Sequence, residues 1–149
     1  MHQTLLVTLQ DKITMTLETT KQSLEKWHHM VQAGNLSDLN DLLADDVVFR
    51  SPVAYKPYEG KQVVFFILTN VIQVFENFTY HREFYTEDGE NVVLEFSANV
   101  SGKSLKGIDM IRFNEQGKIV DFEVMIRPMS GLAALAEQMG IRIAKFQPQ

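Results

Sequence analysis

One acidic residue breaks the alternation of a strand-like segment in the second half of the chain. Between Leu105 and Phe113, Asp109 has the same parity as the apolar positions Leu105, Gly107, Ile111 and Phe113. A carboxyl group on the buried face of a strand must be paired, hydrogen-bonded or kept protonated, because burial of an unpaired charge is costly. Such an acid is a candidate for acid–base chemistry or for hydrogen bonding to a ligand. The alternative is a structural role, in which Asp109 pairs with Arg82 or with backbone donors.

Other kinds of site chemistry find little support in the residues. The chain has no cysteine, which excludes thiolate nucleophiles, disulfides and cysteine-based metal sites. His28 and His29 are adjacent, so on a helix they point about 100° apart and cannot hold one metal ion together. The segment 97–104 ends like a phosphate-binding loop but begins with Ser97 where a glycine is required. We therefore expect no metal and no cofactor.

Composition and charge narrow the choice of partners. The 149 residues are 45% hydrophobic, enough for the core of one domain, and the net charge is −5. A negative net charge argues against binding to nucleic-acid phosphates or to an anionic membrane surface. The longest apolar run, Val63 to Leu68, is too short to span a membrane, and the first residues lack a basic signal region. We expect a cytoplasmic protein whose partner is a small molecule.

The hydrophobic period predicts helices first and strands afterwards. Apolar residues recur at three and four positions from Thr20 to Ala33 and again from Val64 to Phe75, which predicts two amphipathic helices. Four strands follow with short turns between them, as in an antiparallel meander, and a last helix follows Pro128. These elements predict an α+β fold with helices across one face of the sheet. Residues 1–16 are interpreted as a tail or short strand, and 17–149 as a single domain.

Four short segments, taken together, resemble a known family. They are Leu42–Asp46, Ser51–Val53, Ile108–Asn114 and Gly117–Val120, and their order and spacing resemble the ketosteroid isomerase branch of the nuclear transport factor 2-like (SnoaL-like) superfamily. The resemblance covers about residues 20–127. It implies a cone: a strongly curved antiparallel or mixed sheet, wrapped around a long N-terminal helix, with an apolar pocket inside and often a homodimer. The apolar residues on the otherwise polar sheet face also favour a dimer; these are Val93, Met110 and Met125.

The resemblance also implies roles for individual residues. Asp109 matches the acid that is kept protonated and donates a hydrogen bond to the substrate oxygen. Trp27 replaces the partner tyrosine, and Ser51 replaces the carboxylate base. A serine hydroxyl without an adjacent base does not remove a proton from carbon. The other residues implied at the pocket are the lining positions Phe96, Ala98, Phe122, Val124 and Ile126, and the loop residues Tyr55 and Tyr58 near its mouth.

These observations leave three hypotheses. The leading one is a domain that binds a ring-shaped, largely apolar molecule with one hydrogen-bond acceptor. The alternative is an isomerase, cyclase or epoxide hydrolase that uses Asp109 as acid or base, with His28 or Glu83 as a second base. The third is a subunit-interaction module whose own side chains fill the cone. Trp27 also has a plain interpretation as a core residue, and His28 as a partly exposed one.

Overall fold

The computed structural model describes residues 2–146, and the side chains of 8–146. The helices are α1 (His2–Ala33), α2 (Lys61–Val74) and α3 (Met129–Ala144), with a short 3-10 turn at Leu39–Asp41. The strands are β1 (Leu43–Arg50), β2 (Tyr58–Glu59), β3 (Glu76–Tyr85), β4 (Asn91–Val100), β5 (Lys103–Phe113) and β6 (Ile119–Arg127). This order confirms the prediction of helices followed by a four-strand meander.

The strands form one open, mixed sheet. Its order is β2-β1-β6-β5-β4-β3, in which β1 runs parallel to β6 and the other neighbours are antiparallel. Breaks in register occur in β1, β3 and the β5–β6 pair, and such bulges bend a strand and increase its twist. The α+β class with a long N-terminal helix is therefore confirmed.

The first helix is much longer than the sequence pattern predicts. Residues 1–16 were expected to form a tail or short strand, but α1 begins at His2 and runs without a break to Ala33, so the short strand is wrong. The division into a tail and a domain that begins at residue 17 stays a prediction. No glycine or proline interrupts the chain before Gly34, which explains why the helix can continue. Farther along α1, Ser23 donates a hydrogen bond to the carbonyl oxygen of Gly117 at 2.6 Å, which ties the helix to the β5–β6 turn.

The core lies between the helices and one face of the sheet. Buried side chains of α1 and α2 pack there against the inward residues of the strands; they include Leu24, Trp27, Val64, Leu68, Leu94, Ile111 and Phe122. Asp109 lies on this inward face and is 5% exposed, in register with Leu94 and Val124. The parity of β5 thus places the acid where the sequence predicts it.

A bulge in β3 rules out the structural pairing of Asp109 with Arg82. Tyr80 is in register with Phe96, whereas Glu83 is in register with Leu94, so the strand gains one residue between them. Tyr80 and Glu83 therefore share the inward face, and Arg82 moves to the outer face. There its guanidinium makes two hydrogen bonds with Glu95, at 3.0 and 2.6 Å. The predicted pairing of Asp109 with Arg82 is wrong for this reason.

The outer face of the sheet carries both charge and apolar side chains. The hydrogen bonds from Arg82 and the nearby Lys106 lower the pKa of Glu95 to about 2. Met110 and Met125 are 40% and 47% exposed on the same face. Pairing with a second copy through this face stays a prediction. Within residues 2–146, no helix is both long and apolar enough to cross a membrane.

Two glycine substitutions provide a test of the sheet's packing. A Cβ atom on Gly107 would lie 2.5 Å from the carbonyl oxygen of Met125 and 2.6 Å from Cζ of Phe96. We expect Gly107→Ala to lower the free energy of unfolding by about 3 kcal/mol, since an overpacked core must shift. Gly140→Ala is the matched control, because it adds the same methyl group to helix α3 in open space and should add up to about 1 kcal/mol. Urea unfolding measures both; equal effects would contradict the packing described.

Candidate functional site

A small apolar cavity lies on the inward face of the sheet, beneath the helices. Its volume is about 50 Å³. Hydrophobic side chains form most of its wall: Leu36, Phe49, Leu68, Val71, Ile72, Phe75, Phe78, Phe96, Phe122, Val124, Ile126 and Leu135. Trp27, Tyr80 and Asp109 supply the polar groups of the lining. A cavity with apolar walls and a few converging polar groups is the usual form of a small-molecule site.

The three polar side chains form one hydrogen-bonded chain. The indole N–H of Trp27 donates to the hydroxyl oxygen of Tyr80 at 2.9 Å, and the Tyr80 hydroxyl donates to Oδ2 of Asp109 at 2.6 Å. The three residues come from α1, β3 and β5. The site therefore depends on the packing of the N-terminal helix against the middle of the meander.

Burial makes Asp109 a weak acid. Loss of solvent raises the pKa of its carboxyl group to about 7, although the hydrogen bond from Tyr80 lowers it in part. Burial also raises the pKa of the Tyr80 hydroxyl well above its ordinary value, and the neighbouring Asp109 adds to this. At neutral pH the tyrosine is a proton donor, while the carboxyl group is present in both its neutral and its ionised form.

Most of the pocket residues predicted from sequence line this cavity. Asp109 and Trp27 do so, as do four of the five predicted apolar positions, namely Phe96, Phe122, Val124 and Ile126. Ala98 is buried nearby but lies outside the lining, in a second cluster with Leu105 and Leu135. Ligand binding by these residues stays a prediction.

Three other predicted residues lie outside the cavity lining. The hydroxyl of Ser51 accepts hydrogen bonds from the backbone N–H groups of Val53 and Ala54, at 3.0 and 3.4 Å, and so stabilises its own turn. Tyr55 is fully exposed in the next part of the loop. Tyr58 lies on β2 and is 39% exposed. The cavity wall receives Pro52 from this loop instead.

The two alternative bases are close to each other, but not within the cavity wall. Nε2 of His28 lies 2.9 Å from Oε1 of Glu83, and the hydroxyl of Tyr85 donates to Oε2 of the same carboxylate. The His28 ring contacts the Tyr80 ring edge-on, with 5.0 Å between centroids. The pair is about one third exposed. It therefore flanks the tyrosine of the site and does not face the space a ligand would occupy.

Comparison with known proteins agrees with this architecture. The SnoaL-like domain family matches residues 24–122. This chain belongs to the SnoaL-like domain family. The crystal structure of a steroid delta-isomerase from Pseudomonas aeruginosa is 55% identical over 86% of this chain and 93% of that chain, with a TM-score of 0.85.

Two further solved structures extend this comparison. An uncharacterised bacterial protein with a cystatin-like fold from Silicibacter pomeroyi is 36% identical over 82% of this chain and 85% of that one, with a TM-score of 0.77. An NTF2-like protein of unknown function from Mesorhizobium loti is 17% identical over 74% of this chain and 93% of that one, with a TM-score of 0.67, and shows the fold alone. A search of curated protein sequences finds no match.

In this SnoaL-like domain the sequence analysis missed Tyr80 as a site residue. Its hydroxyl is the only side-chain group among residues 8–146 that bonds to Asp109. The signal was the shared parity of Phe78, Tyr80 and Phe84, but the bulge after Tyr80 turns both Arg82 and Phe84 of that parity to the other face. A bulge cannot be read from the period of one strand, so Tyr80 and Arg82 were not separated.

Proposed function

We propose that this SnoaL-like domain binds a small, largely apolar molecule with one hydrogen-bond acceptor, and that Asp109 recognises the acceptor. One observation carries the proposal. Asp109 is a buried acid in an apolar wall, with Oδ2 bonded to Tyr80 and Oδ1 without a hydrogen-bond partner among residues 8–146. Among the described residues, every side-chain nitrogen or oxygen atom that is fully enclosed has a hydrogen-bond partner. Because Oδ1 has no such partner, it is not fully enclosed and retains some accessible surface. A ligand atom in the cavity would complete its bonding.

The neutral carboxyl group fits a carbonyl or ether oxygen. With a pKa of about 7, Asp109 is mostly protonated in mildly acidic solution, and its O–H can donate from Oδ1 into the cavity. The apolar wall would contribute through burial of the rest of the ligand. Sites for drug-sized ligands measure roughly 300–1,000 Å³, so the cavity must widen for a ring-shaped molecule.

A second candidate function is double-bond isomerisation. Two observations favour it: the name of the 55% identical relative from Pseudomonas aeruginosa, and a carboxyl group whose pKa of about 7 suits proton transfer at neutral pH. In this case the ionised form of Asp109 removes a proton from the carbon beside a carbonyl, and the electrons move to the carbonyl oxygen. The same carboxyl returns the proton to a carbon farther along the conjugated system, so that the double bond shifts and no atom is gained or lost.

The cavity wall favours binding over isomerisation as the first proposal. Asp109 is its only carboxyl group among the described residues, and the serine at the position of the family's base is engaged with its own turn. One group would have to serve as base and acid while Tyr80 remains bonded to it. Binding requires only the neutral acid.

The proposed function is tested by a ketone and its matching hydrocarbon. We expect β-tetralone to bind at pH 6 about threefold to tenfold more tightly than tetralin, because only the ketone accepts a hydrogen bond from Asp109. Quenching of Trp27 fluorescence reports binding at the cavity wall, since Trp27 is the only tryptophan of the chain.

The Tyr80→Phe variant and the double variant Tyr80→Phe/Asp109→Leu supply the matched controls, because Asp109→Leu alone would free the Tyr80 hydroxyl to donate into the cavity. Tyr80→Phe should keep the preference for the ketone, and the double variant should bind the two compounds with equal affinity. Equal affinities in the wild-type protein, or a ketone preference that survives in the double variant, would contradict the assignment of Asp109 as the recognition group.

A further inference from the structure

The hydrogen-bonded chain at the cavity has a fixed direction. An indole N–H can only donate, so the Tyr80 oxygen must accept from Trp27. A tyrosine hydroxyl has a single proton, and Tyr80 donates it in the 2.6 Å hydrogen bond to Oδ2 of Asp109. Trp27 can only donate a hydrogen bond, whereas Tyr80 and Asp109 can both donate and accept. Trp27 therefore sets the orientation of the other two. In this series of hydrogen bonds, Trp27 and the free carboxyl oxygen, Oδ1 of Asp109, lie at opposite ends.

We propose, on the basis of the proposed function, that Trp27 is a positioning residue: its N–H keeps the Tyr80 hydroxyl donating to Oδ2 of Asp109 and so reserves Oδ1 for the ligand. Without this N–H, the Tyr80 hydroxyl could rotate and donate into the cavity. Two donors of different geometry would then compete for one acceptor. The single-acceptor specificity of the site therefore depends on a residue that does not contact the acceptor.

The surroundings of Trp27 support a polar role for this buried ring. The ring is 4% exposed and packs edge-on against Phe122, with 5.3 Å between centroids, so a phenylalanine at this position could supply the apolar contacts. What an apolar ring could not supply is the donated hydrogen bond. The donation from Trp27 also lowers the pKa of Tyr80 relative to the effect of burial, which makes Tyr80 a stronger donor to Asp109.

Few other ionisable groups lie near the hydrogen-bonded chain of Trp27, Tyr80 and Asp109. Among residues 8–146, Tyr80 and Asp109 are the only ionisable side chains in the cavity wall, so β4, β6, α2 and α3 contribute none. From α1 and β3, the nearest are His28, Glu83 and Tyr85, which bond to one another beyond the Tyr80 ring. The pair Arg82 and Glu95 lies on the outer face. A titration of Asp109 is therefore governed chiefly by its own burial and by Tyr80.

The test is a titration of the ligand-free protein. Carbon-13 NMR of labelled aspartate carboxyl groups gives the midpoint of Asp109 in the wild type, in Trp27→Phe, in Tyr80→Phe and in the double variant. We expect Tyr80→Phe to raise the midpoint by about one pH unit, because the ionised form loses its donor. Trp27→Phe should raise it by roughly half as much, and the double variant should match Tyr80→Phe, because Trp27 acts only through Tyr80.

Two results would overturn the proposal. The first is an Asp109 midpoint that is unchanged or lowered in Trp27→Phe, which is the result expected if water merely enters a loosened core. The second is a shift in the double variant that equals the sum of the two single shifts. Leu24→Val is the matched core control on the same helix, because Leu24 is buried but is not part of the cavity wall. It should lower stability without moving the midpoint.

A measurement on the wild-type protein keeps the proposal testable if the variants fail to fold. Nitrogen-15 labelling of tryptophan gives one indole signal, since the chain has one tryptophan. We expect this signal to shift with pH at the midpoint of the Asp109 carboxyl carbon, and an indole signal that ignores the titration would overturn the coupling. Because no ligand is present, failure here is distinguishable from failure of the ketone test, which addresses the proposed function itself.

Discussion

Asp109→Asn is expected to make the protein more stable at pH 8 than the wild type, although it removes a charged group from the core. Asp109 has a folded pKa of about 7, against an ordinary value of 3.8. Between pH 3.8 and pH 7, Asp109 therefore keeps its proton in the folded state and loses it in the unfolded state. Because the unfolded state binds fewer protons, the free energy of unfolding falls as the pH rises through this range. Above pH 7 this effect lowers the free energy of unfolding by about 4 kcal/mol, and asparagine avoids it because its side chain does not ionise.

The measurement is urea unfolding of both proteins at pH 5 and pH 8. The stability of Asp109→Asn relative to the wild type should increase by about 3 kcal/mol over this interval. Glu95→Gln is the contrasting control, because the folded pKa of Glu95 is lowered to about 2 and its contribution is already complete above pH 5. Its effect should be nearly the same at both pH values. A relative stability of Asp109→Asn that does not change with pH would mean that Asp109 is ionised throughout.

For the isomerase candidate, Asp109→Asn is expected to lower turnover by about 10²- to 10⁴-fold, the usual contribution of a general acid or base. The substrate to assay is a 3-keto steroid whose double bond lies one position out of conjugation, and absorbance of the conjugated product follows the reaction. Because the ionised form must remove the proton, kcat/KM should rise with pH and level off above a midpoint near 7.

The control for this assay is again Glu95→Gln, a carboxyl group on the outer face of the neighbouring strand. It should keep wild-type turnover. Turnover that survives in Asp109→Asn would remove Asp109 from the reaction. Absence of turnover in the wild type, together with ketone binding, would leave the binding function and exclude this isomerisation.

The parts of the site that could be predicted from the sequence depend on regular alternation. Asp109 stands out because β5 alternates over its central residues, and its burial follows directly from that pattern. Phe122, Val124 and Ile126 follow from the same rule in β6. The helix that carries Trp27 could be recognised from its apolar period, although its start could not, because the first sixteen residues have no clear apolar face.

The parts that could not be predicted depend on local breaks in these patterns. The bulge in β3 decides that Tyr80, and not Arg82, reaches Asp109. The placement of Ser51, Tyr55 and Tyr58 depends on a loop whose turn is fixed by side-chain-to-backbone hydrogen bonds, for which no periodic signal exists. The cavity volume depends on the packing of individual aromatic side chains, which composition does not determine.

The central claim is that neutral Asp109 donates a hydrogen bond to a ligand oxygen inside the apolar cavity. Isotope-edited infrared spectroscopy of β-tetralone, labelled with carbon-13 at its carbonyl and bound at pH 6, tests this claim most directly. A carbonyl stretch at lower frequency than in hexane, which persists in Tyr80→Phe and returns to the hexane value in Tyr80→Phe/Asp109→Leu, is the predicted result. A bound ketone with the hexane frequency in the wild-type protein, or no bound ketone, would contradict it.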